Sequence, residues 1–243
     1  MEHKSGIIYR GPSLIDGQPI VVIANYSNRN RKTGAMVQTY ILRSDMDPRD
    51  ANKSGSDFSI CGNCPHKGTP TDDPERKLAK DRACYVVIGQ GPLITYNAYI
   101  KGIYPEAFGH DNIAAIGRGR MVRLGTYGDP AAVPSYIWDS LLSESIGHTA
   151  YSHQSGIESA DVRKDMFMIS ADTEAQARAA WDKGARTFRI VKDYSEAIKG
   201  HEIPCPNDTK GIQCQECGLC KGASMAKSIV ISAHGAGANY INA

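Results

Sequence analysis

The sequence lacks the marks of a membrane or exported protein. None of its apolar runs approaches the roughly 20 residues that a membrane-spanning helix needs. The N-terminal segment MEHKSGIIYRG has no basic start, apolar middle and small-residue cleavage site of the kind found in signal peptides. These absences predict a cytoplasmic protein.

The sequence also carries little net charge. A formal charge of +2 over 243 residues, 22% of them charged, produces no broad electrostatic field. A nucleic-acid partner is therefore not indicated by net charge. A small molecule or a nucleotide remains open as a substrate, and the sequence does not specify an oligomeric state.

Several common catalytic and nucleotide-binding motifs are missing. No Gly-x-Gly-x-x-Gly turn and no Walker loop follows a predicted strand, which excludes the usual nucleotide-binding open sheets. No Gly-x-Ser-x-Gly elbow and no His-Glu-x-x-His helix is present, which excludes the common serine hydrolases and zincins.

What is present is an alternation of strands and helices after an N-terminal β-hairpin. Helices are predicted from Leu93 to a stop at Gly102, at 131–145, at 173–184 with a Thr173/Gln176 capping box, and near 194–199. Strands are predicted at 36–43, 120–124, 148–151, 166–170, 187–191, 202–205 and 228–235. This order predicts an α/β protein, a full or partial parallel βα barrel.

The predicted organisation is a single domain over residues 1–243. Residues 1–35 form the hairpin extension, and 36–204 form the barrel core. Residues 205–222 form a cysteine-rich metal-binding loop, and 223–243 supply the last strand and a tail. Polar clusters follow most of the strands, and in a parallel barrel those carboxyl ends assemble the site.

The strongest signal is a group of four cysteines, here named the C-terminal cysteine set: Cys205, Cys214, Cys217 and Cys220. Four thiolates suffice for one tetrahedral zinc ion or one four-iron cluster. The Cys-x2-Cys-x2-Cys run is closer to the ferredoxin iron–sulfur pattern than to a zinc ribbon, whose cysteines come in two separated pairs. The set is predicted to be a complete, supporting site.

The remaining three cysteines form the N-terminal cysteine set: Cys61, Cys64 and Cys84. Three cysteines suit an iron–sulfur cluster with one iron open to a ligand, or a Cys3His zinc site completed by His66. A structural zinc knot is the alternative to a reactive centre. The loop follows the first barrel-like strand, so we expect it on the same face as the other polar clusters.

These motifs resemble the radical SAM superfamily, in which three cysteines after the first strand of a partial βα barrel hold a four-iron cluster that binds S-adenosylmethionine. The resemblance implies that Gly128 and Asp129, in Tyr-Gly-Asp-Pro, correspond to the segment that meets the methionine amino group. The usual cysteine spacing is x3 and x2, whereas this chain has x2 and then x19.

The chain also resembles a family of phage and plasmid proteins of uncharacterised function, marked by CGNCPH, RLGTYGDPAAVP and a late CxxCxxC. That likeness runs over most of the length and implies location in the host cytoplasm.

Other polar residues are candidates for catalysis or cofactor binding. Asp129, Tyr151 and His153 are candidate catalytic residues; Gly128, Asp129, Ser170 and Arg189 are candidate cofactor-binding residues. Arg123, like Arg189, lies inside an apolar strand and could hold an anion in a barrel lumen. Asp129 and Asp172 each have helix capping as the alternative role, and the role of His234 stays open.

Two functions follow as hypotheses. The first is a radical SAM-like enzyme of unknown substrate, with an open 4Fe-4S cluster on the N-terminal cysteine set and an auxiliary cluster on the C-terminal set. The second is a zinc-stabilised, non-catalytic phage protein that binds nucleic acid or a protein partner. An intermediate case has zinc at one set and iron–sulfur at the other.

Overall fold

A computed structural model describes residues 5–26, 30–223, 227–235 and 237–241 of the chain. Residues 1–4 and 27–29 of the predicted hairpin extension, and parts of the predicted tail, lie outside the described residues. Within the described ranges, no helix is long and apolar enough to cross a membrane.

The first sheet begins with the predicted hairpin. Its strands are β1 (Ser5–Pro12), β2 (Pro19–Tyr26), β3 (Val37–Arg43), β4 (Met121–Tyr127) and β5 (Gly147–Thr149), in that order. β1, β2 and β3 pair antiparallel, whereas β3–β4 and β4–β5 pair parallel. The apolar run from Ile20 to Ala24 is buried, as expected for a strand with neighbours on both edges.

The second sheet consists of parallel strands throughout. Its strands are β6 (Tyr151–Ser152), β7 (Met168–Ala171), β8 (Thr187–Val191), β9 (Glu202–Pro204) and β10 (Ser228–Ser232). Their order is β6-β7-β8-β10-β9, so the strand that comes last in the sequence lies inside the sheet. The described strands thus form two five-stranded, parallel-rich sheets, and no closed barrel is found among them.

Eight α-helices connect these strands in the described part of the chain. They are α1 (Pro48–Ser54), α2 (Phe58–Cys61), α3 (Gly91–Ile100), α4 (His110–Gly117), α5 (Ser135–Leu142), α6 (Glu174–Asp182), α7 (Pro206–Lys210) and α8 (Cys214–Cys217). The capping box at the start of α6 is present as predicted. The main core lies on the first sheet, where Trp138 of α5 and Phe167 are fully buried.

Two helix predictions need correction. The polar segment 45–57, for which no helix was predicted, contains α1, which Asp47 caps and Gly55 ends in a left-handed conformation. The helix predicted from Ala131 begins only at Ser135, because residues 130–132 form a separate 3-10 turn and Pro134 starts α5. The four-residue shift leaves the residues after β4 in a loop beside the cysteines.

Candidate functional site

All seven cysteines line one cavity of about 180 Å³. The cavity lies among residues from both sheets. It is also lined by five of the other predicted site residues: Gly128, Asp129, Tyr151, His153 and Ser170. The structure therefore brings together the two cysteine sets and most of the candidate residues that follow the strands.

The N-terminal cysteine set is held by a buried network that ties α2 to the ends of β4 and β6. Gln154, fully buried, donates from Nε2 to the Cys61 carbonyl at 2.9 Å and to Asp129 Oδ2 at 2.8 Å. Its Oε1 accepts from the Asn63 backbone N–H at 3.0 Å. The cysteine loop is thus fixed by side chains from two different strand ends.

Gly128 permits the close approach on which this network depends. Its φ of 83° is in the left-handed region. A Cβ at this position would come within 2.7 Å of the Ile41 Cβ and 3.0 Å of the Ile41 carbonyl. Only glycine therefore lets the end of β4 pack this closely against the end of β3.

Cys84 reaches the loop of Cys61 and Cys64 through backbone contacts. The backbone N–H groups of Ala83 and Cys84 both donate to the His66 carbonyl, at 3.1 and 2.8 Å. Arg82 then fixes the far side by donating to the carbonyls of Cys84 and Val86 at 2.9 and 2.7 Å. These bonds hold Cys84 beside the loop of Cys61 and Cys64, although 19 residues separate Cys84 from Cys64 in the sequence.

The later part of the C-terminal cysteine set, residues 214–221, contacts segments that precede strands. The Cys214 N–H donates to the Lys32 carbonyl at 3.1 Å, ahead of β3. Arg186, ahead of β8, donates to the carbonyls of Leu219 and Lys221 at 2.9 and 2.6 Å. Cys205 itself directly follows β9, as the N-terminal set follows β3, and all seven cysteines line the same cavity.

Burial raises the pKa of four of the cysteine thiols. Burial and neighbouring thiols raise the pKa of Cys220 to about 12, and burial raises that of Cys61 well above its ordinary value. Burial likewise raises the pKa of Cys84 and Cys214. These cysteines are protonated in the metal-free chain, and a bound cation would be needed to convert them to thiolates.

The spacing of the sulfur atoms bears on which metal could bind. In a tetrahedral zinc site with Zn–S bonds of about 2.3 Å, the sulfurs lie about 3.8 Å apart. Among the described residues, no three cysteine sulfurs come within 4.8 Å of one another. In the described chain, neither cysteine set is therefore arranged around a single tetrahedral ion.

Polar atoms without a partner surround the same cavity. In the part of the chain that the structure describes, four buried side-chain atoms have no hydrogen-bond partner: Arg82 Nε, Arg123 Nε, Tyr127 Oη and Thr149 Oγ1. All four residues line the cavity. Because an unsatisfied buried polar group costs about 1–3 kcal/mol, their concentration here indicates a polar occupant.

Arg123 is a buried cation beside the C-terminal cysteine set. Its guanidinium donates to the Tyr85 hydroxyl and lies 5.8 Å from the centroid of the Tyr151 ring. Tyr151 in turn lies beside Cys220. None of the described carboxylates forms an ion pair with Arg123, so its charge is available to an anion in the cavity.

Arg189 has a different position from the one predicted. Phe188 and Ile190 face the cavity, and the alternation of a strand directs the intervening Arg189 to the opposite side, outside the cavity lining. There Arg189 Nε and Nη2 bind the two carboxylate oxygens of Glu202 at 2.9 and 2.6 Å. The arginine thus joins β8 to β9.

Removing the carboxylate of this buried pair should destabilise the fold. The side chains of Arg189 and Glu202 are 7% and 0% exposed, so Glu202→Gln leaves a buried charge without its partner. We expect a loss of about 3–5 kcal/mol in the free energy of unfolding, measured by urea denaturation. Glu174→Gln, which removes an exposed ion pair with Arg178, is the matched control and should cost less than about 1 kcal/mol. Equal effects of the two changes would contradict this assignment.

His153 belongs to a group that the sequence analysis did not assemble. His66 Nε2 and His153 Nε2 lie 3.1 and 3.3 Å from Asp172 Oδ1. Burial opposes charge on His153, but Cys64 and Asp172 outweigh it and hold its pKa well above the ordinary value. Burial also opposes charge on Asp172, and hydrogen bonds from the two histidines hold its pKa well below its usual range.

Asp129 acts as both cap and connector. Its Oδ1 accepts from the Ala131 N–H at 3.0 Å, and its Oδ2 accepts from the His153 N–H and Gln154 Nε2, both at 2.8 Å. The capping alternative for Asp129 is therefore present. Its other bonds hold the loop of the N-terminal cysteine set, so it positions the site through its neighbours.

His234, whose role the sequence leaves open, contacts Lys32 in the cavity. His234 lines the cavity after β10, and its Nε2 lies 3.1 Å from Lys32 Nζ. Burial and the Arg123 charge lower the pKa of Lys32 despite the nearby cysteines. Sequence reasoning assigned no role to five further cavity or network residues: Lys32, Arg82, Tyr85, Tyr127 and Gln154. Of these, Tyr127 stands in the quoted Tyr-Gly-Asp-Pro motif, where only Gly128 and Asp129 were assigned a role.

Comparison with known proteins adds no assignment to this geometry. No family model matches the chain, and neither the curated proteins nor the solved structures give a match. Candidate functions therefore have to come from the cavity and the residues that line it.

Proposed function

We propose that the protein is an iron–sulfur enzyme of radical SAM type, with an open 4Fe-4S cluster on the N-terminal cysteine set and an auxiliary cluster on the C-terminal set. The observation that carries this proposal is the convergence of all seven cysteines on one cavity. Structural zinc knots have no need of a shared cavity, whereas two redox centres that serve one substrate do.

The strand order supports a partial-barrel interpretation. Parallel pairing runs from β3 through β5 in one sheet and from β6 through β9 in the other. Ala150 alone separates β5 from β6, and its N–H donates to the Cys220 carbonyl at 2.8 Å. We interpret the two sheets as one curved, open run of parallel strands whose concave side holds the cavity.

The residues around the cavity fit an anionic cofactor. The unpartnered Arg82 Nε and Tyr127 Oη lie beside the N-terminal set, and Arg123 lies beside the C-terminal set. Thiolate-bound clusters carry negative charge, which these donors and cations would offset.

Each proposed role belongs to a named part of the chain. When bound, an open cluster supplies one-electron reduction of S-adenosylmethionine. Asp129 and Gln154 hold the loop that would present Cys61 and Cys64, and Gly128 brings that loop close to β4. Arg123 and Lys32 would bind an anionic group of a small-molecule substrate between the two sets.

Metal content and an anaerobic visible spectrum test the proposal. After anaerobic reconstitution, we expect about eight iron and eight sulfide per chain and a brown protein that cleaves S-adenosylmethionine under reduction. Cys84→Ala should lose about half of the iron and all cleavage activity. Cys217→Ala should lose about half of the iron and keep the reductive cleavage of S-adenosylmethionine at the other set.

A colourless protein with about two zinc ions per chain would overturn the proposal in favour of a zinc-stabilised binding protein. Iron at one set and zinc at the other would contradict the presence of two clusters, while leaving a single iron–sulfur cluster in place. Unchanged iron in Cys84→Ala would remove the N-terminal set from the cofactor site.

A further inference from the structure

Three metal-ligating side chains meet at one end of the cavity. They come from separate loops: His66 follows Cys64, His153 follows β6, and Asp172 follows β7. In the described chain they are the group of three such residues whose ligand atoms lie within 4.8 Å of one another. His66 and Asp172 are 106 positions apart in the sequence, so local turn structure does not explain why they meet.

The carboxylate of Asp172 is free for this purpose. Sequence analysis left helix capping as its alternative role, but Thr173 is the residue that caps α6, through its side-chain oxygen on the Gln176 N–H. Gln176 in turn accepts from the Asp172 N–H at 2.7 Å. These bonds fix the backbone of Asp172 and leave its Oδ1 to face the two histidines.

The measured distances match the edges of a metal coordination polyhedron. Ligand atoms bound at about 2.1 Å lie about 3.0 Å apart in an octahedron and about 3.4 Å apart in a tetrahedron. The two edges from Asp172 Oδ1 to the histidine Nε2 atoms measure 3.1 and 3.3 Å. The His66 and His153 rings meet edge to face, with centroids 5.5 Å apart, so both can direct Nε2 toward one point.

The three side chains are also placed where a bound ion could meet a substrate. All three line the cavity, and their side chains are 16%, 18% and 26% exposed. Cys64 lies beside His153, so one cysteine of the N-terminal set borders this group.

We propose that His66, His153 and Asp172 bind one divalent transition-metal ion with coordination positions open to the cavity. Two imidazole nitrogens and one carboxylate oxygen suit Fe²⁺, Mn²⁺ or Zn²⁺. The ion takes the place of the protons that otherwise link the histidines to the carboxylate. Its three ligands include none of the seven cysteines, so the site is separate from both cysteine sets.

Cobalt binding to the full-length chain tests the site. Thiolate-bound Co²⁺ gives intense near-ultraviolet charge-transfer absorption, whereas Co²⁺ on nitrogen and oxygen ligands gives only weak visible bands. We expect the wild-type protein to bind one equivalent of Co²⁺ that gives the weak visible bands of nitrogen and oxygen ligands. His66→Gln and Asp172→Asn should each weaken it by at least about 100-fold in Kd, with the thiolate-bound fraction unchanged.

His201→Gln is the matched control, because His201 stacks on Trp181 and does not line the cavity. This variant should bind Co²⁺ like the wild type. Electron spin-echo modulation from two imidazole nitrogens in the wild-type Mn²⁺ form, an ion that does not oxidise thiols, provides a test that needs no variant. Purely thiolate-bound cobalt, unchanged binding in His66→Gln and Asp172→Asn, or no imidazole coupling would each overturn the proposal.

Discussion

Replacing Arg123 with methionine should lower cofactor retention while leaving the metal-free fold at least as stable as before. Arg123 is buried, and among the described residues no carboxylate pairs with it. An apolar side chain of similar size removes an uncompensated buried charge from the metal-free chain. In the reconstituted protein, the same change removes the cation beside Cys214 and Cys220.

The expected loss in affinity for the anionic occupant is on the order of 30-fold or more, since truncating one partner of a buried charge pair costs about 2–5 kcal/mol. The affinity is measured by how much iron the C-terminal cysteine set retains against a competing chelator. The stability is measured by urea unfolding of the metal-free protein.

Arg189→Met provides the matched comparison, because Arg189 is equally buried and lies in a strand of the second sheet. It leaves Glu202 buried and unpaired, so it should destabilise the metal-free chain by about 3–5 kcal/mol. If both variants destabilised the metal-free chain alike, Arg123 would be a structural residue like Arg189.

Replacing Asp129 with asparagine should loosen the N-terminal cysteine set. The amide can satisfy the donors of Ala131, His153 and Gln154 only in part, because one of its two terminal atoms is itself a donor. We expect a cost of about 2–3 kcal/mol from the unsatisfied buried donors. The iron bound by the N-terminal set should fall, with that on the C-terminal set retained.

Asp193→Asn isolates the capping contribution. Asp193 caps an exposed 3-10 turn by accepting from the Ser195 N–H at 2.8 Å, the same bond that Asp129 makes to Ala131. Asparagine is as good a cap as aspartate, so this variant should leave stability and iron content unchanged. A similar effect of both changes would mean that Asp129 serves only as a cap.

The sequence was informative wherever local patterns determine structure. The hairpin, the strand β8 and the capping box of α6 all follow from residue alternation and capping chemistry within a few neighbours. The barrel closure was not confirmed, because closure depends on pairing between strands distant in sequence. The position of β10 between β8 and β9 could not be predicted either, because it also depends on pairing between strands distant in sequence.

The cavity residues show the same limit. Arg123 and Arg189 look alike in sequence, and only the strand faces and the position of Glu202 distinguish a cavity cation from a buried ion pair. The group of His66, His153 and Asp172 could not be predicted, since it depends on how three loops pack. The cysteine sets were recognisable because their spacing is itself the signal.

The internal position of β10 has a consequence for biosynthesis. In the described sheet, β9 pairs only with β10, so the strand that leads into Cys205 has no neighbour until β10 has been made. The chain emerges from the ribosome N-terminus first, so the first sheet and Cys61, Cys64 and Cys84 precede this step. The surroundings of Cys205 are therefore completed late in synthesis, and a nascent chain stalled before Ser228 would lack the Val230 carbonyl that accepts from the Cys205 N–H.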